Sequence, residues 1–238
     1  MIASRYNPQF KELKSLLEAR GAKKAGKILV SGRKIAPEMF ARALTVIAED
    51  GAWPDGLEQP NKVLWLDRGL FRDLDIFGTH FPIAVLPLPE IKKWDGEKPK
   101  GLELVLSLQD PSNLGAVLRS AHAFGVNKII LLKECAFPFH PKAVRASSGS
   151  CLRVPMEEGP ALKEFSDQNA IALDMAGESL TQFSWPVDAR LLIGEEGQGL
   201  PSQFTGKRVS IPMHAELDSL NAAIAASIAL FSYRSQII

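Results

Sequence analysis

Cysteine is scarce in this chain: Cys135 and Cys151 are the only two among 238 residues. Two thiols make no disulfide framework, and neither sits at a metal-ligand spacing. Both are expected to be free, buried thiols in a reducing cytosol. Long apolar runs are missing as well. No stretch approaches about 18 uninterrupted apolar residues, so no membrane-spanning helix is expected. The apolar run at 222–230 is far too short. No charged segment followed by an apolar one opens the chain, so no secretion leader is expected. Internal repeats and low-complexity tracts are absent. The net charge is only +1, which alone calls for no polyanionic partner.

The composition that remains is core-forming: 46% of residues are hydrophobic and 23% charged. That suits one large domain or two modest ones. Charge is unevenly placed. Residues 1–42 hold ten Lys/Arg against three acids, so they carry +7 and leave −6 for the rest. A basic end on a near-neutral protein is either a nucleic-acid footprint or a solvated helix face.

Spacing predicts a helix over 7–20, with Phe10, Leu13, Leu16 and Leu17 on one side and Gly21 as its stop. Strands are expected at 27–30, 62–66 and 83–86, and a second helix at 37–49 with Pro37 in its first turn. Residues 87–101 hold Pro87, Pro89, Pro99 and four lysines, the composition of a boundary. This divides the chain into a small α/β domain at 1–90, a linker at 91–101 and a larger domain at 102–238. In the last, apolar 102–108 reads as a strand buried on both faces. A helix at 113–124 and a strand at 128–132 follow, which implies a parallel pair. Further strands are expected at 170–174, 191–193 and 208–211, with a helix beginning near Asp218-Ser219.

Three segments put small or polar residues where strands should end: QDPSNLGAVLRSAHAFG (109–125), LLIGEEGQGLP (191–201) and IPMHAELDSLNAAIAASIAL (211–230). Loops at strand ends build the ligand sites of open α/β sheets. The glycines of GEEGQG fit neither the dinucleotide fingerprint nor a P-loop. Its paired acids would repel a pyrophosphate, so a nucleotide-dependent oxidoreductase is disfavoured. In the first segment, Ser112 or Asn113 is expected to cap the helix. The helix after 219 is apolar all round and must be buried in a core or a subunit interface.

Together these segments resemble the TrmH/SpoU-type RNA ribose 2′-O-methyltransferases of the SPOUT superfamily. The likeness covers 101–232, and HPKAVRASSGSCLRVP (140–155) resembles the family's stretch between its first two motifs. Residues 7–32 resemble, less specifically, its small N-terminal RNA-binding domain. The resemblance implies a knotted, mostly parallel α/β sheet with helices on both faces, a C-terminal trefoil knot, and a homodimer with the site at the subunit interface. It implies S-adenosylmethionine as cofactor, rRNA or tRNA as substrate, and no metal. Carried over by position, Asn113, Arg119, Glu196, Ser219 and Asn221 are the catalytic set. Leu192, Gly194, Gly199, Ile211, Met213 and Leu220 would line the cofactor. Lys11, Lys14, Lys23, Lys24, Lys27, Arg33 and Lys34 would bind RNA phosphate. Two positions depart from the family pattern: Glu195 stands where Asn is frequent, and Ala222-Ala223 where β-branched residues or serine are. The alternative from another class is a noncatalytic RNA-binding or assembly factor that keeps the fold.

Overall fold

A computed structural model describes residues 1–194, 200, 204–214 and 219–237. The chain folds as two units, Met1–Pro89 with Phe137–Gly149, and Glu90–Ala136 with Ser150–Ile238.

In the first unit, Asn7 opens helix α1 (Pro8–Ser15) by accepting the Gln9 and Phe10 amides on its side chain. The helix predicted over 7–20 breaks after Ser15 and resumes as α2 (Ala19–Ala25). Gly21 lies inside α2 and does not end a helix. A Cβ there would fall 2.0 Å from the Ser15 carbonyl oxygen, so glycine lets α2 start hard against the end of α1. Strand β1 (Lys27–Val30) follows, then α3 (Ile35–Met39), a 3₁₀ turn at Phe40–Arg42 and β2 (Thr45–Glu49). The expected helix at 37–49 is thus half strand. Thr45, Val46 and Ile47 are β-branched, and their stiff χ1 favours the pleated sheet. Strand β3 (Val63–Leu66), helix α4 (Arg68–Leu74) and β4 (Ile83–Pro87) complete a four-stranded sheet of order β1-β4-β2-β3. Phe10, Leu13 and Leu16 pack with Leu70, Phe71 and Leu74 over Leu29, Ile47, Leu66 and Val85.

The second unit holds β5 (Lys92–Lys93), β6 (Leu102–Leu106), α5 (Pro111–Ala123) and β7 (Lys128–Leu131). The chain then forms α6 (Pro141–Ala146), which belongs to the first unit and packs against β1. It resumes as β8 (Met156–Glu158), β9 (Ala170–Ser179), β10 (Ala189–Ile193), β11 (Lys207–Ser210) and α7 (Ala222–Ile237). This partition differs from the expected one in two places. Residues 92–93 of the supposed linker form an edge strand on β8. Residues 137–149 leave the larger unit because the buried side of α6, with Ala143 and Val144, is spent on β1. At α5 the cap is Asp110, which accepts the Ser112 and Asn113 amides, with Pro111 at the first helical position.

The seven strands run β11-β9-β10-β6-β7-β8-β5, and every pair is parallel. Val105, Ile130, Ala172 and Leu192 meet Phe165 on one face, with Trp94, Leu162 and Phe204 packed against them. Alternation turns Leu104, Ile129 and Leu191 to the other face, where they are also buried. Helices α5 and α7 pack on each other.

A charge lies within this apolar sheet. Arg190 on β10 and Glu103 on β6 are register partners, 1% and 2% exposed. Arg190 donates to Glu103 Oε2 from Nε (3.0 Å) and Nη2 (2.7 Å). It also donates to the Glu97 carbonyl at 2.7 Å and to the Asp167 carboxylate, and it stacks 4.9 Å from the Trp94 ring centroid. Removing one partner of such a group leaves a charge buried alone. Arg190→Ala is therefore expected to cost about 3–5 kcal/mol, read as a lower urea midpoint at unchanged m. A loss below about 1 kcal/mol would show that water reaches the pair.

Candidate functional site

Strand order places the site. After β6 the chain builds β7 and β8 on one side, then β9 and β10 on the other, so β6 and β10 flank a switch point. Ligands of open parallel sheets bind beyond the carboxyl ends of strands near such a point. On the β10 side of that point the structure has a cavity of about 650 Å³. Its walls come from Leu173, Asp174 and Met175 of β9, Ile193 and Gly194 at the end of β10, Val209 and Ser210 of β11, and Leu200, Ile211 and Met213. Ser219, Leu220, Asn221, Ala222 and Ala225, at and before the start of α7, close it.

Asn221 is the joint of this arrangement. Its Oδ1 accepts the amides of Ala223 (3.0 Å) and Ile224 (3.3 Å), which makes it the cap of α7. Ser219, one of the two caps the sequence suggests, is therefore not the cap, and Asp218, the other, lies outside the described residues; the helix starts at Ala222. The same side chain donates from Nδ2 to Asn113 Oδ1 at 3.0 Å, across 108 residues of sequence. Two of the three sequence segments thus touch through their polar residues.

The far end of α7 is anchored too. Tyr233 donates its hydroxyl to the Val187 carbonyl at 2.5 Å, and Trp185 Nε1 donates to Ser232 Oγ at 3.1 Å. Ser120 and Ser227 join α5 to α7 at 2.7 Å. The buried side of α7 is built from Ala222, Ala223, Ala226 and Ala229, so the helix sits close to its neighbours. Leu230 and Tyr233 are buried with these alanines, but three large apolar residues face outward: Ile224 is 52% exposed, Ile228 37% and Phe231 62%. A helix expected to be wholly buried is, in one chain, half uncovered.

Of the residues the family resemblance names, Gly194, Ile211, Met213, Ser219, Leu220 and Asn221 line the cavity. Leu192 does not. It is fully buried in the sheet core, and with a period of two the next residue, Ile193, reaches the cavity instead. Arg119 is exposed on α5 and is not part of the wall. Glu195, Glu196 and Gly199 lie outside the described residues. Leu173, Asp174 and Met175 escape the sequence reading, which ends the strand at Asp174. The signal for them was Gly177, a residue that interrupts a strand where backbones approach closely.

Several of the expected RNA-binding lysines already have partners. Lys14 pairs with Asp73 at 3.5 Å and Lys27 with Glu12 at 2.5 Å. Lys11 lies over the Tyr6 ring and Lys23 over Phe137. Lys24, Arg33 and Lys34 are exposed. Cys151 is buried, and burial pushes the Cys135 thiol up to about 12, which makes it a poor nucleophile. Among the described residues, no group of His, Cys, Asp and Glu could hold a metal ion. No helix there is long and apolar enough to cross a membrane.

The profile of the SpoU rRNA Methylase family matches residues 102–231. The ribosomal RNA small subunit methyltransferase G 2 of Syntrophobacter fumaroxidans is 39% identical over 98% of this chain, which spans only 48% of that relative. The 23S rRNA (guanosine(2553)-2′-O)-methyltransferase RlmP of Bacillus subtilis is 25% identical, with 98% of both chains covered. Among solved structures, the SpoU methyltransferase AviRb of Streptomyces viridochromogenes, in complex with AdoMet, superposes with a TM-score of 0.78. It is 24% identical and covers 97% of this chain and 98% of its own, a likeness of fold. With the match running from β6 into α7 over more than half of its length, the chain belongs to the SpoU rRNA Methylase family.

Proposed function

We propose that this protein transfers a methyl group from S-adenosylmethionine to a ribose 2′-hydroxyl of structured RNA, either rRNA or tRNA. The observation that carries this reading is the meeting of the first and third segments, through Asn113 and Asn221, beside a cavity at the middle of β9 and the carboxyl ends of β10 and β11. The family supports RNA methylation, and the ribose is the finer part of the proposal.

The cavity suits the cofactor. Its volume lies within the roughly 300–1,000 Å³ usual for small-molecule sites. Leu173, Ile193, Ile211 and Leu220 offer apolar walls for adenine, and Asp174, Ser219 and Asn221 offer polar contacts. When bound, the cofactor supplies a methyl group carried on positively charged sulfur. The chain's own work is to position two ligands and exclude water. The Asn113–Asn221 bond fixes the amide at the start of α7. Arg119 offers N–H donors and no acceptor, so it is no base. Its part is to fix an RNA phosphate or polarise the hydroxyl. The proton then goes to a phosphate oxygen, Glu196 or water.

The homodimer belongs to the same proposal. Its support is the face of Ile224, Ile228 and Phe231, spaced i, i+4 and i+7 on α7. A dimer would also bring an exposed Arg119 from one chain toward the site of another. A C-terminal knot is proposed with it, supported by β11 lying beyond β9 while the chain returns through α7 to α5. In the first unit, Lys24, Arg33 and Lys34 are the cations best placed to bind RNA, because Lys14 and Lys27 are offset by acids.

Mapping 2′-O-methylation across total RNA with and without the protein tests the reaction. One or more riboses should lose their methyl group when it is absent, and a methyl on a base would overturn the ribose assignment. Arg119→Lys keeps the charge and loses the planar fork, and is expected to lower turnover at least about tenfold. Near-normal turnover would reject that role. Replacing both Ile228 and Phe231 by Asp should convert a dimer into a monomer by sedimentation. A wild-type chain that sediments as a monomer would reject the dimer.

A further inference from the structure

Strand β9 leaves the ladder where it passes the cavity. Its pairing with β11 jumps from Ala172 opposite Arg208 to Glu178 opposite Val209, so residues 173–177 bulge out of register. The bulge is held at three points. Gly177 lies so close to β11 that a Cβ would fall 2.4 Å from the Val209 nitrogen. Ser210 Oγ donates to the Gly177 carbonyl at 2.9 Å. Arg208 Nη1 donates to Asp174 Oδ2 at 2.9 Å. Bulges of this kind re-aim a side chain beside a site.

Asp174 is the residue re-aimed. It lines the cavity, and its side chain is 20% exposed. Its Oδ1 accepts the Ala176 amide at 2.9 Å while Arg208 holds Oδ2. An ionised carboxylate offers about four lone-pair sites. Two are used, one on each oxygen, and each oxygen keeps another. The charge is already matched by Arg208, so a second cation gains little here. Neutral donors in a pair, such as hydroxyls on adjacent carbons, complement two neighbouring acceptors better.

We propose that Asp174 reads the ribose of the cofactor, its carboxylate held by Arg208 and Ala176 to accept from the 2′- and 3′-hydroxyls of an adenosyl ligand. This assignment rests on the adenosyl-cofactor reading above. Arg208 is then a positioning residue, and the bulge is the device that brings both to the cavity wall.

Calorimetry with the full chain tests it, using S-adenosylhomocysteine and its 2′-deoxy and 3′-deoxy forms as probes. A hydrogen bond to a charged group is worth about 1.5–3 kcal/mol, which is roughly a tenfold to hundredfold change in Kd. Wild-type protein should bind each deoxy form weaker by such a factor. Asp174→Asn should weaken binding of the parent ligand about tenfold and shrink the deoxy penalty, because the probe and the variant remove the same bond. A residue that only shaped the backbone would leave that penalty intact. Equal affinity for parent and deoxy forms in the wild type overturns the assignment, whether or not the variant folds. So does an undiminished deoxy penalty in a folded Asp174→Asn. No binding of S-adenosylhomocysteine by the wild type would overturn the cofactor reading, and this assignment with it.

Discussion

Seven strands that all run the same way impose the geometry of the larger unit. A parallel sheet has two unlike edges, one of strand starts and one of strand ends, and its connections must cross from one to the other. Segments that follow β6, β9, β10 and β11 therefore gather at one edge, however far apart they are in sequence. Asn113 and Asn221 meet there at 3.0 Å. Arg190 and Glu103 lie near the opposite edge, close to where β10 and β6 begin. A slip of one residue would turn both charges to the wrong face. The buried pair thus resists the slip that would also misplace Ile193 and Gly194 in the cavity.

Helix α7 ties the cavity to the surface. Four alanines face inward with Leu230 and Tyr233, and α5 packs on the helix, while Ile224, Ile228 and Phe231 face out. Packing fixes the helix from both ends: Asn221 caps its start beside Asn113, and Tyr233 and Ser232 hold its last turns to residues 185–187.

Charge in the first unit shows why a count along the sequence overstates a footprint. Residues 1–42 carry a surplus of seven positive charges, yet Asp73 serves both Arg5 and Lys14, and Glu12 serves Lys27. Asp73 comes from α4, outside the counted stretch. Exposed pairs of this kind add little stability, but they lower the field that a polyanion would meet.

The sequence by itself determined most of the sheet. Apolar runs such as 102–106 and 128–131 read as strands buried on both faces, and a helix was legible after Asp110-Pro111, although its cap is Asp110 and not Ser112 or Asn113. Gly194, Ile211, Leu220 and Asn221 were singled out by the family resemblance of their segments rather than by any local signal. Tertiary structure decided the rest. Residues 45–49 are strand rather than helix because β4 and β3 offer ladders on either side. Leu192 turns to the core and Ile193 to the cavity through a register that no single strand contains. Asp174 reaches the cavity through a bulge defined by its pairing with β11. Periodicity and caps are carried by a few neighbouring residues, whereas register, bulges and shared counter-charges exist only between segments brought together by folding.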